Sequence, residues 1–503
     1  MPVGVVMSMR PALAVFIPLI CAFLILVTGD KHRNLRDMWS LTAALAVFML
    51  VASIIPIAIN EFVIESPIYS LVRISPILVV QFRVDSLGAY FGGLSAFMWL
   101  WMAMYSIGYL RYLHERNQSR FLACFALVIA AGIGIAFAGN LFTLFIFYEI
   151  MSVSAYPLII HHETEEAMRA GRKYLMYVLI GGVFVLGSMA MTYVLAGTLT
   201  LSQMGILSGT ATPNTLRLLF LTFVIGFGVK SAIMPLHGWL PASMVAPTPA
   251  NALLSVVEAG VFGIARLVYN IYGVDLVREL GLGLPLAYVA TITILLASVY
   301  AWRQDNLKRR LAYSTVSQLS YVILGVALMT PNSALGGIIH IVHQAFMKNT
   351  LFFCAGAIFV QTGKKNISEM RGLAKSMPLT MTVFAISALG VIGIPPMVGF
   401  LTKWYLAIGA LEAHLPIFLV VILISAMLNA AYYLPPIYDG FFVEPDDPDT
   451  EYEEAPMSLL APLIITGMFV LIFGVFANIP YTPLRLLHIT VKEVLHLPVA
   501  IFR

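Results

Sequence analysis

Charge is what this chain of 503 residues has least of: only 11% of it is Asp, Glu, Lys or Arg, against about a quarter in a soluble domain. A shortage of that size excludes an ordinary water-soluble globular protein. Cysteine is scarce as well. Cys21, Cys124 and Cys354 all fall inside apolar runs and form no C-x-x-C, so no usual spacing for zinc or an iron–sulfur cluster is present and they read as small core residues. Neither G-x-x-x-x-G-K-[ST] nor a G-x-G-x-x-G after a strand occurs, which argues against nucleotide hydrolysis and dinucleotide binding. The net charge of +4 is spread over loops and carries no nucleic-acid signal. No soluble domain and no low-complexity tract is visible.

What the chain has instead is hydrophobicity, 60% of its residues, with a mean hydropathy of +0.91. Apolar runs of about 18 to 25 residues recur from end to end, each long enough to cross a hydrocarbon core of roughly 30 Å as a helix. They are continuous and do not alternate, so barrel strands are excluded. The reading is an all-α polytopic membrane protein with about 14 transmembrane helices. The expected spans are 11–28, 38–59, 86–109, 120–138, 140–161, 172–197, 214–245, 249–272, 283–302, 311–330, 334–361, 377–411, 415–437 and 458–480. The first run precedes Gly29-Asp30-Lys31-His32-Arg33 without a small-residue cleavage site, and reads as a retained helix and not a signal peptide. Spans 7 and 12 are too long for one straight crossing and hold Pro235 and Pro395-Pro396, so each is expected to be a broken helix.

Lys and Arg placement sets the expected orientation. Loops after odd-numbered spans carry 17 of the 29 basic residues, including Lys31, Arg111, Lys173, Arg309 and Lys364, whereas loops after even-numbered spans carry Arg73, Arg83, Arg217 and Arg278. Odd loops are therefore placed in the cytoplasm of a cell membrane and both termini outside. The stretch 60–85 alternates polar and apolar residues and predicts a short external β-hairpin. The acidic loop 444–456 reads as a solvated loop or a partner docking surface.

A few charges remain inside the spans: Glu149, Lys230, Glu258, Arg266, Lys348 and Lys403. At 1.5 Å per residue Glu149 and Glu258 lie about 14 Å into their spans and Lys348 about 21 Å, near mid-membrane, while Lys230 and Lys403 lie beside the two breaks. Each costs roughly 2.5–3.5 kcal/mol at the bilayer centre if it faces lipid, so the set must face protein, water or each other. For Arg266, eight residues past Glu258, snorkelling towards the outer surface is expected. Singly each charge reads as an inter-helix salt bridge; together the other five suggest a polar axis in the membrane plane. Such an axis suits protons, because burial opposes charge on a lysine and a nearby carboxylate restores it, so proton movement elsewhere can switch Lys230. His237, His340, His343, Ser314, Ser317, Gln318 and Tyr313 supply groups of the kind a proton wire needs.

A long broken helix with a lysine occurs twice, five spans apart, so spans 4–8 and 9–13 are expected to be two copies of one unit, inverted because five is odd. The whole chain reads as one membrane domain: helices 1–3 within 1–119, a first repeat at 120–272, a second at 283–437, and a last helix with its tail at 458–503.

The stretch KSAIMPLHGWLPASMVAPTPANALLS at 230–255 resembles the most diagnostic segment of the antiporter-like subunits shared by respiratory complex I, Mrp-type cation/proton antiporters and membrane-bound group 4 hydrogenases. FIFYEIMSVSAYPLIIHH at 145–162, AGRKYLMYVL at 170–179, LAYSTVSQLSYVILG at 311–325, HQAFMKNTLFF at 343–353 and GIPPMVGFLTKWYL at 393–406 resemble it further, in the expected order. The resemblance implies a 14-helix fold with two inverted five-helix repeats and no prosthetic group. It also implies neighbouring membrane subunits as partners and a role in moving protons, or protons against sodium. It places the family's glutamate of helix 5 on Glu149 and its lysines of helices 7, 11 and 12 on Lys230, Lys348 and Lys403, with the Glu149–Lys230 pair controlling the lysine's protonation and Lys403 at the exit. The sequence departs from the family at SVVEAGVFG, where Glu258 stands for the usual helix 8 lysine or histidine and Ser255 for a frequent histidine, and at Gln344, where a histidine usually precedes Lys348. The tail 483–503 lacks the long lateral helix of the L-type complex I subunit, and the wording is nearer to the D-type Mrp subunit and its hydrogenase counterparts.

The expected function is an ion-translocating subunit of a multi-subunit complex without a catalytic centre of its own. The alternative is a non-conducting scaffold of the same assembly in which Glu258 interrupts the relay; a self-sufficient secondary transporter and a redox enzyme rank below both.

Overall fold

The computed structural model describes residues 5–58, 66–75, 78–256, 258–445, 452–479 and 482–495. In chain order its helices are α1 (Arg10–Thr28), α2 (Arg33–Ala58), α3 (Ser86–Tyr112), α4 (Gln118–Ala136), α5 (Leu141–Ile159), α6 (Glu165–Ala196), α7 (Pro213–Lys230), α8 (Trp239–Ala242), α9 (Thr248–Val256) and α10 (Ala259–Arg266). They continue as α11 (Val274–Glu279), α12 (Gly283–Trp302), α13 (Leu307–Leu328), α14 (Pro331–Thr362), α15 (Leu373–Ser376), α16 (Pro378–Ile392), α17 (Val398–Glu412), α18 (Pro416–Phe442), α19 (Met457–Val475) and α20 (Pro483–Leu495). Eleven helices among the described residues are long and apolar enough to cross a membrane. The stretches 213–245, 331–362 and 378–412 are helical as well, but are broken or carry buried polar residues. Large apolar side chains such as Val194, Met427 and Val183 stand exposed on α6 and α18, the surface a lipid-facing helix presents.

Local chemistry sets the helix ends. Thr164, Thr212, Thr330 and Asn140 each accept a backbone N–H three residues on, and Pro213 and Pro331 follow two of these caps at the first helical position. Thr164 together with the acids Glu165 and Glu166 starts α6 seven residues before the expected 172. Left-handed Gly197 and Gly363 close α6 and α14, the latter buried along nearly its whole length from Ser333 to Ile358 and so the pillar of the bundle.

On one face the expected hairpin is present and has a third strand. β1 (Val5–Met7) lies parallel to β2 (Ser66–Arg73), which pairs antiparallel with β3 (Val79–Arg83). β3 is stitched to the α4–α5 turn through Arg83 N–H to the Phe137 carbonyl at 2.8 Å and Gly139 N–H to the Gln81 carbonyl at 2.9 Å. Residues 59–65 and 76–77 of this region lie outside the described residues. On the opposite face Arg36, only 1% exposed, ties Asp30, Asp37 and Gln118 together at 2.7–2.8 Å, locking the α1–α2 and α3–α4 turns.

The acidic loop docks on the chain itself where it is described: the Glu454 carboxylate accepts from Leu379 N–H at 2.8 Å and Thr380 Oγ1 at 2.5 Å, capping the start of α16. Residues 446–451 of that loop and 496–503 of the tail lie outside the described residues.

Candidate functional site

Both expected breaks exist. α7 stops at Lys230, and the backbone groups it frees are taken up by side chains: Trp239 Nε1 donates to the Val229 carbonyl at 2.7 Å and Thr293 Oγ1 accepts from Met234 N–H at 3.2 Å. In the second, α16 ends at left-handed Gly393 and α17 resumes at Val398. The Met234–Pro235 and Pro395–Pro396 bonds are cis. A third interruption was not expected: the 249–272 span divides between α9 and α10, and Glu258 sits at the junction as the residue before the first turn of α10. A Cβ on Gly260 would overlap the backbone of Lys230 and Ser231, so only glycine lets α10 lie directly on the break of α7. The last turn of this span, Leu267–Tyr272, is π-helical.

Lys230 is 9% exposed; its ammonium donates to the Tyr148 carbonyl of α5 and lies 3.5 Å from the centroid of the Tyr148 ring. It is not in ion-pair contact with Glu149. That carboxylate packs against Gly182 of α6, where a side chain would collide with it, and its Oε1 has no hydrogen-bond partner among the described residues. A cavity of ≈ 30 Å³, enough for about one or two waters, is lined by Lys230, Glu258, Tyr174, Trp239, Met151 and Leu319 among others. Lys230 and Glu258 therefore share an internal space. Glu258, 3% exposed, accepts from Gln344 Nε2 through Oε1, and its Oε2 has no partner among the described residues. Standing at the N-terminus of α10, it occupies a position where the helix dipole favours negative charge.

One turn beyond Gln344 on α14, fully buried Lys348 donates to Ser314 Oγ and to Tyr433 Oη at 3.0 Å. Tyr432 Oη donates to Ser314 Oγ at 3.0 Å or to Asn429 Oδ1 at 2.6 Å. Asn429 Nδ2 and Lys403 Nζ then both donate to the Val391 carbonyl, at 3.2 and 3.0 Å, and Lys403 adds the Ile392 carbonyl at 2.5 Å. Lys403 thus rests on the free carbonyls of the α16 C-terminus, the negative end of that helix. Gly393 makes room for it, since a Cβ there would lie 2.7 Å from Lys403 Cδ. With two donors on one carbonyl, no proton passes through Val391, so the Asn429 branch positions groups and does not relay.

A second branch is built of amphoteric groups. Thr402 Oγ1 lies 2.9 Å from His343 Nδ1 and 3.2 Å from His340 Nδ1, all three residues being buried. A hydroxyl donates one proton while accepting others, so Thr402 links the two imidazoles beside Lys403. His237 stands apart at the first break, its ring 6.1 Å from that of Tyr313, with Nδ1 unpartnered among the described residues. Ser317 bonds Ser298 at 3.1 Å instead of joining the axis, and the buried Gln318 amide has neither atom paired among the described residues, a place for water. Thr402, Asn429, Tyr432 and Tyr433 were missed by the sequence reading. The signal was there in NAAYY at 429–433, where spacings of three and four put three polar groups on one face of an apolar helix.

Arg266 does not snorkel. It is 1% exposed and forms a two-pronged salt bridge with Asp85, one arm at 2.7 Å, while Nη1 reaches Asn270 Oδ1 at 3.0 Å. Burial works against the Asp85 carboxylate, yet Arg266 and the N–H of Gly88 hold it below the usual carboxylate range. Among the described residues no group of three or more His, Cys, Asp or Glu side chains is placed to hold a metal.

Residues 138–429, more than half of the chain, match the family described as NADH:quinone oxidoreductase/Mrp antiporter, TM. The chain is 33% identical over 417 residues to NADH-quinone oxidoreductase subunit N of Desulforudis audaxviator, covering 79% of this chain and 82% of that one. It is 26% identical over 467 residues to the D-type subunit of the Na(+)/H(+) antiporter of Bacillus subtilis, covering 92% and 93%. Some relatives are longer: the chain spans 50% of Hydrogenase-4 component B of Escherichia coli, at 30% identity. Among solved structures, a chain of the membrane-bound sulfane sulfur reductase, an archaeal respiratory membrane complex, is similar with a TM-score of 0.87 at 25% identity, covering 97% of this chain and 98% of that one.

Proposed function

The chain belongs to the NADH:quinone oxidoreductase/Mrp antiporter family, and on that premise we propose that it is a proton-translocating subunit of a multi-subunit membrane complex, moving protons alone or against sodium. The observation that carries this reading is the row of buried polar groups formed by Lys230, the cavity it shares with Glu258, Gln344 bonded to Glu258, Lys348 one turn further on α14, and the His343–Thr402–His340 cluster beside Lys403. In this reading both termini lie outside a cell membrane, and residues 120–272 and 283–437 are inverted copies, a view supported by the paired breaks beside Lys230 and Lys403.

A proton leaving Lys230 crosses the cavity by water to the free Oε2 of Glu258. Gln344 holds the other oxygen and so fixes the direction in which that carboxyl faces. Lys348 is the next basic station on α14, and the His343–Thr402–His340 cluster leads towards Lys403, whose ammonium is stabilised by helix-end carbonyls.

Replacing Lys230 with alanine is expected to lower proton uptake by membrane vesicles carrying the intact complex by about 10²-fold, the order contributed by a positioned proton-transfer group, with the amount of assembled complex unchanged. Glu149→Gln is expected to cost less, because this carboxylate acts on Lys230 only through space and no direct contact with it is broken. Uptake that survives Lys230→Ala at the native rate would move the chain to the scaffold reading. Glu258→Lys, which restores the family's usual basic residue, is expected to reduce uptake: it sets a cation at the positive end of α10 and across a small cavity from Lys230. A gain in the same dye-quenching assay would mean that the glutamate throttles the path.

A further inference from the structure

Away from the polar axis, a cavity of ≈ 240 Å³ opens where the α5–α6 turn, the start of α13 and the end of α14 meet. Its lining includes Lys308, Lys364, Lys365, His162, Thr164 and Glu166. Three lysines from two elements converge on one space, and none forms a salt bridge among the described residues. Lys308 Nζ has one acceptor, the Ala246 carbonyl at 2.8 Å, which leaves two of its three donors. Lys364 and Lys365 lie over the rings of Tyr452 and Phe359, 5.2 and 5.3 Å from the centroids. The acid in the lining, Glu166, is turned to Arg309 at 3.4 Å. His162 lies 3.6 Å from Glu115, and burial together with Lys308 and Lys365 holds its imidazole below the usual range, a sign that these lysines act on the same space.

Three lysines against one lining acid that is turned to Arg309 leave an excess of positive charge that favours an anion, and ammonium groups bind phosphate oxygens through charge-assisted hydrogen bonds. We propose that this cavity binds a phosphate-bearing anion, a phospholipid headgroup or free phosphate, held by Lys308, Lys364 and Lys365. Lys308 meanwhile fixes the Ala246 carbonyl, at the turn between the broken helix and α9, so the occupant ties that turn to α13 and α14. The site is independent of the transport reading.

The test compares the intact detergent-purified complex with its Lys308→Gln/Lys365→Gln variant. Native mass spectrometry after exchange into phosphatidylglycerol or phosphatidylcholine reads lipid retention, and calorimetric titration with inorganic phosphate reads the free anion. The native complex is expected to retain phosphatidylglycerol or to bind phosphate, the variant to lose at least tenfold in affinity, and Lys308→Arg/Lys365→Arg to keep it. Lipid retention assigns the headgroup; phosphate heat without it assigns the free anion. If the Lys308 variant fails to assemble, Lys364→Gln/Lys365→Gln, at the rim, is read instead. Equal retention of both lipids together with no phosphate heat, or a variant that binds like the native complex, overturns the proposal.

Discussion

Lys348→Met will nearly stop proton movement, by about 10²-fold or more, while the complex still assembles. Methionine keeps most of the volume of the stem in a fully buried site, so packing is spared the cavity that alanine would leave. What disappears is the buried basic group, and with it the donor to Ser314 and Tyr433. Tyr433→Phe removes one of those acceptors and leaves Ser314, so its effect is expected to be several-fold milder. The two variants are compared by dye quenching in vesicles matched for subunit content. A Lys348→Met complex that pumps within twofold of the native one would place the path elsewhere in the bundle.

The largest effect on stability is expected at the other end of α10. Arg266→Met leaves the Asp85 carboxylate in a buried setting without its partner, a loss of about 3 kcal/mol, at the low end for broken buried pairs because the Asp85 side chain retains 18% exposure. Asp85→Asn/Arg266→Met removes both charges and should recover most of that loss, since a buried pair gains little over apolar packing once its desolvation is counted. Thermal unfolding of the solubilised complex, followed by loss of α-helical signal or by aggregation, separates the cases; purely additive losses would sink the idea that the pair acts as a unit. The pH dependence follows from the lowered Asp85 value. Its contribution is complete above the ordinary carboxylate range and is lost as pH falls through the depressed folded value. The Arg266→Met variant should accordingly lack that acid-side step.

Much of this architecture was legible in residue order because a membrane is an unforgiving solvent. Charges at 149, 230, 258, 348 and 403 stood out against apolar runs, and Pro235 and Pro395-Pro396 marked two interruptions by removing backbone donors. The break at Glu258 was not legible. SVVEAGVFG carries no proline, and the interruption coincides with Gly260 lying on the backbone of the preceding broken helix, a contact that only the fold creates. Arg266 was misjudged for a related reason: its partner Asp85 lies 181 residues away, and depth along a helix says nothing about which side faces protein. The third strand of the sheet, at residues 5–7, was too short to register against the helix that follows it.

If protons follow the proposed path, Thr402 sets a limit on tempo as well as on route. Its hydroxyl owns a single hydrogen, shared between two ring nitrogens. Once that hydrogen has gone one way, the oxygen is left holding a bond pointed back along the route, one imidazole having gained a proton at Nδ1 and the other having lost one. A second proton must wait for the hydroxyl to swing round and the rings to reset, as a turnstile must return before it admits the next passenger. Under the proposed proton path, traffic through this branch is therefore single file, and the reorientation of one threonine is part of its cycle time.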